Sequence, residues 1–243
     1  MMPDAARLYD VIDGTWPAAA QWQEGPFLLR RGEDGGQRVS AATALGAVTA
    51  QDIDAAAQAM QAMGQPRLFQ IRMGDEALDA FLATRGYHIV DPVNLYVAPV
   101  AQIATRRPPP VTAFCVWEPL AIQIDIWAKG GIGPGRLAVM QRAKGPKTSI
   151  LGRQNDHPGG TAFVAIHDHV AMVHAVEVLP HQRKQGMAGW FMRLAAFWAQ
   201  ANGASHIAVV CTQANTGANA LYASLGMALV GQYHYRKHPD DME

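Results

Sequence analysis

The octapeptide Ala80-Phe81-Leu82-Ala83-Thr84-Arg85-Gly86-Tyr87 returns 140 residues later as Ala220-Leu221-Tyr222-Ala223-Ser224-Leu225-Gly226-Met227. The same shift lays the apolar run 68–71 on 208–211, and the helical stretch 51–63 on the one that contains Trp198. A recurring helix-strand-helix unit reads as an internal duplication, and it constrains the fold more than any composition does. Between the copies stands Arg106-Arg107-Pro108-Pro109-Pro110, and a triple proline fits neither a helix interior nor a central strand. The expected organisation is residues 1–105, an extended linker at 106–111, and residues 112–243.

Within the first part, strands are expected at 27–29, 67–71 and 94–97, and helices at 51–63 and 75–84, the latter stopped by Gly86. Within the second, 134–142 reads as a helix, and 161–166 and 170–179 as strands turning at His167-Asp168-His169. A helix at 186–201, a strand at 207–211, a helix at 217–224 and a strand at 229–235 complete it. Strands alternating with helices in both parts argue a mixed α/β sheet.

Apolar residues make up 49% of the chain and charged residues 16%, against about 25% charged in an average domain. A sizeable core is affordable and a disordered chain is excluded. The formal net charge is 0, but residues 1–111 carry 9 basic and 12 acidic side chains (−3) and residues 112–243 carry 11 and 8 (+3). A nucleic-acid partner would call for a basic excess, so none is expected. No apolar run is long enough to span a bilayer, and the first residues lack a leader's basic and apolar regions, so no membrane role is expected. Cys115 and Cys211 cannot build a disulfide framework or a four-thiolate zinc site, and a cytoplasmic setting follows.

The chemistry concentrates in Val176-Glu177-Val178-Leu179-Pro180-His181-Gln182-Arg183-Lys184-Gln185-Gly186-Met187-Ala188-Gly189. An apolar strand ends at a proline, passes a basic turn and opens a long amphipathic helix. Free N–H groups and the dipole at such a helix start bind phosphate, and Gly186 and Ala188 keep the turn small. The spacing is neither the Gly-x-Gly-x-x-Gly dinucleotide fingerprint nor a Walker loop. Lys144-Gly145-Pro146-Lys147-Thr148 lacks the Walker frame too and reads as a solvated loop. His167-x-His169 has no third ligand at fixed spacing, so no metal is expected.

With Asn215 and Asn219 at the next helix start, then Ala220-Leu221-Tyr222, Leu225-Gly226-Met227 and Tyr233-His234-Tyr235-Arg236, residues 114–236 resemble the GNAT superfamily of acyl-CoA-dependent N-acyltransferases. The resemblance implies an α/β (α+β) fold with a mixed, mostly antiparallel sheet flanked by helices, here with a second, degenerate GNAT-like half. It implies that strand 173–179 splays from strand 207–211 and that acetyl-CoA lies in the gap. The main chain of Val176 and Val178 would hold the pantetheine, and backbone N–H groups of Lys184, Gln185, Gly186, Met187, Ala188 and Gly189 the pyrophosphate, with Arg183 beside them. Asn215 would bond the pantetheine arm. Tyr222 would lie near the thioester sulfur and, with a phenol pKa near ~10 against ~8.5 for a thiol, could protonate the leaving thiolate.

At pH 7 an alkyl ammonium of pKa ~10.4 is neutral in about one molecule in 2,500, a cost of ~4.6 kcal/mol, so a base helps the acceptor amine. Glu177 is the first candidate because it alternates with apolar neighbours on the cofactor strand; His174 is second and His181 third. The shift by 140 puts Leu82 at Tyr222, Asp79 at Asn219 and Thr43 at Arg183, so the first half should not bind coenzyme A. It is expected to wall the acceptor cleft, its acidic excess favouring a cationic acceptor. The activity expected is acetyl transfer to a primary amine of a small molecule or peptide; the alternative is a non-catalytic acyl-CoA-binding module. Monomer and homodimer both stay open.

Overall fold

Local signals place the elements in a computed structural model that describes residues 1–242. Helix α1 (Ala5–Thr15) starts at Asp4, whose carboxylate accepts from the Arg7 N–H at 2.9 Å. Strands β1 (Ala20–Glu24), β2 (Phe27–Arg31) and β3 (Thr43–Ala44) form a small antiparallel sheet. Helix α2 (Ala50–Ala62) begins with a capping box, Thr49 accepting from the Asp52 N–H and Asp52 from the Thr49 N–H. Strand β4 (Leu68–Ile71), helix α3 (Glu76–Thr84), strand β5 (His88–Pro99) and the one-turn α4 (Val100–Ile103) complete the first half.

The second half runs β6 (Ala113–Val116), α5 (Ala121–Lys129), α6 (Pro134–Arg142), β7 (Lys147–Gln154), β8 (His157–His167) and β9 (Val170–Val178). Then follow α7 (Met187–Ala201), β10 (His206–Thr212), α8 (Thr216–Ser224) and β11 (Ala228–Lys237). Helix α6 matches the expected 134–142, whereas helices α1, α4 and α5 and strands β1, β3, β6 and β7 go beyond the sequence expectation, and β5 is far longer than 94–97. Lys147 and Thr148 open β7 instead of lying in a solvated loop: Lys147 Nζ donates to the Ala143 carbonyl at 2.7 Å, and Thr148 is buried.

One sheet joins the halves. Its order is β4-β11-β5-β10-β9-β8-β7-β6, antiparallel except between β9 and β10. The halves are therefore not two bodies held by a linker alone, because β11 lies between β4 and β5 while β5 lies between β11 and β10. The arrangement follows the 140-residue repeat in register. Ile71↔His234 maps onto Cys211↔Asn94, Leu68↔Lys237 onto Ala208↔Val97, and Val93↔Tyr233 onto itself. Each half thus lends its last long strand to the other.

Before α2 the shift fails. Ala42 forms a parallel bridge with Phe69, the position that maps onto Val209, and Val209 pairs with Val173. Thr43 therefore lies on a strand, not in a turn equivalent to that of Arg183, and the first half connects strand to helix through a shorter loop. The Arg106 and Arg107 guanidiniums lie 5.4 Å from the Trp190 ring and 4.5 Å from the Phe197 ring, tacking the proline segment along α7. The buried face of α7 (Phe191, Met192, Ala195, Ala196, Ala199) packs on Ile150, Val164 and Val173 to form the core under the site.

Candidate active site

Strand β10 is held on both edges at its start and on one at its end. Pairing with β9 runs from His206↔Val170 to Val209↔Val173 and stops, while pairing with β5 continues to Thr212↔Val93. The divergence begins at a bulge. Thr161 pairs with Glu177 but Phe163 with His174, so β9 carries one extra residue, and Ala175 takes φ 50°. Trp127 on α5 secures it, its Nε1–H donating to the Ala175 carbonyl at 2.8 Å. The strands open into a cleft of about 620 Å3 whose walls include Val176, Glu177, Val178, Asn215 and Tyr222.

At the mouth of the cleft the chain turns into α7. The Leu179 N–H donates to the Gly159 carbonyl and the Gln182 N–H to the Leu179 carbonyl, each at 2.8 Å. From Lys184 to Gly189 no backbone N–H has a backbone or side-chain acceptor among the described residues, and α7's first bond runs from the Trp190 N–H to the Gly186 carbonyl. Left-handed φ values at Lys184 (61°) and Gly186 (83°) shape this turn. Lys184, Gly186, Met187, Ala188 and Gly189 line a hollow of about 220 Å3 next to the cleft. Gln185 lines neither space; its side chain donates to the His181 carbonyl at 3.3 Å. The Met187 side chain is buried in the core, so its contribution here is main-chain.

Tyr222 is 4% exposed, and its ring centroid lies 5.7 Å from that of Tyr96 on β5. Burial, with Cys211 and Tyr96 as lesser contributors, pushes its phenol pKa well above the ordinary value near ~10. The Cys211 thiol in the same wall is pushed up to about 11 by burial and stays protonated at neutral pH. Asn215 caps α8, its Oδ1 accepting from the Ala218 N–H at 3.1 Å. Asn219 ties the helix down: its Nδ2 donates to the Thr212 and Asn215 carbonyls at 2.9 and 2.7 Å, and its Oδ1 accepts from Asn94 Nδ2 and the Tyr96 hydroxyl.

Arg183 folds back over the cofactor strand. Its Nη2 meets Glu177 Oε1 at 3.1 Å and its Nε donates to the Val178 carbonyl at 2.8 Å. Glu177 is therefore ion-paired, and the Val178 carbonyl is already in use. His174 is buried with both ring nitrogens engaged, by the Thr15 hydroxyl at 2.8 Å and Arg38 Nη1 at 2.9 Å, so no lone pair remains to take a proton from an acceptor. His181 is exposed and outside the cleft lining. Arg38, from the first half, does line the cleft; 136 residues separate it from His174 and no motif surrounds it.

The first-half counterpart of the cleft differs. A hollow of about 540 Å3 is lined by Leu45, Ala47, Val48, Leu78 and Phe81, with no cation, and Leu82 at the tyrosine position is fully buried. The Thr49 N–H at its helix start is already taken by Asp52. Among the described residues no group of three His, Cys, Asp or Glu is arranged to hold a metal, and no helix is long and apolar enough to cross a membrane.

Residues 122–227 match the Acetyltransferase (GNAT) family. "Uncharacterized N-acetyltransferase YobR" of Bacillus subtilis (strain 168) is 24% identical over 244 residues, spanning 97% of this chain and 99% of its own. A GCN5-related N-acetyltransferase from Kribbella flavida has a similar structure (TM-score 0.74, 22% identity, 97% of this chain and 95% of that one). So does a tandem GNAT protein from the clavulanic acid biosynthesis pathway (TM-score 0.59, 11% identity, 87% of this chain and 77% of that one).

Proposed function

We propose, from the premise that residues 122–227 are a GNAT-family acetyltransferase domain, that the protein moves an acetyl group from acetyl-CoA to a primary amine of a small molecule or peptide. Direct attack in a ternary complex is the simplest course. The acceptor nitrogen bonds the acetyl carbon, the carbon–sulfur bond breaks, and the amine's proton leaves to a base or to water.

The observation that carries this reading is the divergence of β9 from β10, with orphan N–H groups at its mouth and Tyr222 in its wall. The residues present fit an acyl-CoA. The main chain of Val176 and Val178 is free of β10 and can pair with an amide-bearing arm, and the N–H groups from Lys184 to Gly189 suit a pyrophosphate. Asn215 Nδ2 has no partner among the described residues and faces the same space. Arg183 would exchange Glu177 and the Val178 carbonyl for phosphate, which frees Glu177 to accept a proton. Tyr222 keeps its proton at any working pH, and its hydroxyl can donate to the departing sulfur.

In the same reading residues 1–105 are a degenerate half, 106–111 the linker and 112–243 the catalytic half, with β5 bracing β10 while β9 leaves it. Two unpaired thiols, Cys115 and Cys211, support a reducing, cytoplasmic setting. The test is free-thiol release from acetyl-CoA with a panel of amines, for the wild type and Tyr222→Phe. Amine-dependent release that falls in the variant supports the reading. Saturable acetyl-CoA binding without release from any amine would favour a non-catalytic acyl-CoA-binding module.

A further inference from the structure

A second hollow, of about 310 Å3, meets the cofactor cleft at Arg38, Val210, Cys211 and Thr212. Two arginines from different elements line it, Arg38 from the first half and Arg136 from α6. Neither has a carboxylate within salt-bridge distance among the described residues.

Arg38 is held in place by a chain of fixed donors and acceptors. The Thr15 hydroxyl donates to the Val11 carbonyl at 2.6 Å, so toward His174 its oxygen acts as acceptor and Nε2 carries the proton. His174 Nδ1 then offers its lone pair to Arg38 Nη1 at 2.9 Å, and the guanidinium carbon sits 5.0 Å from the centre of the Trp16 ring. His174 is 3% exposed; burial, then the Arg38 charge, hold its pKa well below the ordinary range, so the imidazole stays a neutral acceptor. Arg136 lies across Gly36, where a Cβ would come within 3.2 Å of Arg136 Nε. Burial and the charge of Arg38 push the Arg136 pKa down, so the two cations feel each other. Asp91 is the carboxylate in this hollow, and the hydroxyls of Tyr233 and Tyr235 stay protonated through burial.

Two guanidiniums that line one hollow, neither with a carboxylate in salt-bridge reach among the described residues and one of them pre-oriented by a buried histidine, form a receptor for an oxyanion. We propose that this hollow is the acceptor subsite and that the acceptor amine carries a carboxylate or a phosphate, held by Arg38 and Arg136. The proposal rests on the transferase reading above. It reverses the expectation of a cationic acceptor, because Arg38 sets the charge at this junction whatever the −3 total of residues 1–111.

The test has two arms. Calorimetry on the protein with and without bound coenzyme A measures binding of glutarate and of inorganic phosphate, for the wild type, Arg136→Gln and Arg136→Lys. The wild type should bind one of the anions saturably, the glutamine variant at least tenfold more weakly, and the lysine variant in between. Kinetics then compare β-alanine with its amide and ethanolamine phosphate with ethanolamine. The charged member of one pair should show a KM at least tenfold lower, and Arg136→Gln should abolish the difference; the preferred pair separates carboxylate from phosphate. Coenzyme A binding without binding of either anion overturns the subsite and leaves the transferase reading standing. Equal KM values in both pairs also overturn it. Anion binding lost in Arg136→Gln, without coenzyme A binding, would sink the transferase reading and reduce the hollow to an anion site. If no amine turns over, the calorimetric arm alone decides.

Discussion

Asp79 and Asn219 stand 140 residues apart on α3 and α8, and each grips the two strand positions that the same shift exchanges. Asp79 accepts from Arg236 Nε at 2.7 Å and His234 Nε2 at 2.8 Å; Asn219 accepts from Asn94 Nδ2 at 2.8 Å and the Tyr96 hydroxyl at 2.9 Å. Both partner strands come from the opposite half. The two residues therefore clamp the strand exchange, and Asn219 also fixes the helix that carries Tyr222.

The Asp79 clamp sets an acid limit on stability. Arg236 first, then His234, hold its carboxyl below the ordinary carboxylate range. A folded-state pKa below the unfolded value of about 3.9 gives stability that is complete above that value and lost as pH falls through the folded pKa. Asp79→Asn should lower the unfolding free energy by about 1–3 kcal/mol at pH 7, and its deficit against the wild type should shrink below about pH 4. Denaturant melts across pH measure this.

Tyr222→Phe removes one hydroxyl that has no hydrogen-bond partner among the described residues, so stability should change by less than about 1 kcal/mol. Acetyl-CoA affinity should stay within a few-fold, while kcat falls by about 10². Since its phenol pKa is raised, kcat of the wild type should show no falling limb from this group up to about pH 10.

Arg183→Ala removes a side chain 57% exposed, so its ion pair with Glu177 contributes little to stability. The melting temperature should move by no more than a degree or two, whereas acetyl-CoA should bind about fivefold or more weakly, and the loss should shrink at high salt. Titration at two ionic strengths checks both.

Gly186→Ala meets no atom within 4 Å, so its cost is confined to the backbone at φ 83°. About 1 kcal/mol of stability should be lost. Acetyl-CoA affinity should fall by more than that destabilisation predicts, because the N–H groups on either side are re-aimed. Paired melts and binding titrations separate the two effects.

The repeat was legible because it lies in contiguous strings, and contiguous strings also placed α7, α8 and the turn at Lys184. The strand exchange was not legible, because pairs such as Ile71↔His234 and Cys211↔Asn94 join residues more than a hundred positions apart. The shift also misplaced Thr43, since a shorter loop precedes α2 and periodic helices conceal a change of offset. Of the site, Tyr222, Asn215 and the main chain of Val176 and Val178 fall on one cleft. The Arg183–Glu177 pair and the tautomer of His174 depend on side-chain geometry that spacing does not encode, and Arg38 comes from a segment without any motif.

Amide hydrogen exchange across a titration with acetyl-CoA tests the cofactor cleft most directly. Saturable binding is expected, with protection of the N–H groups from Lys184 to Gly189 and none at residues 45–49, the corresponding loop of the first half. No saturable binding, or protection confined to residues 45–49, would contradict it.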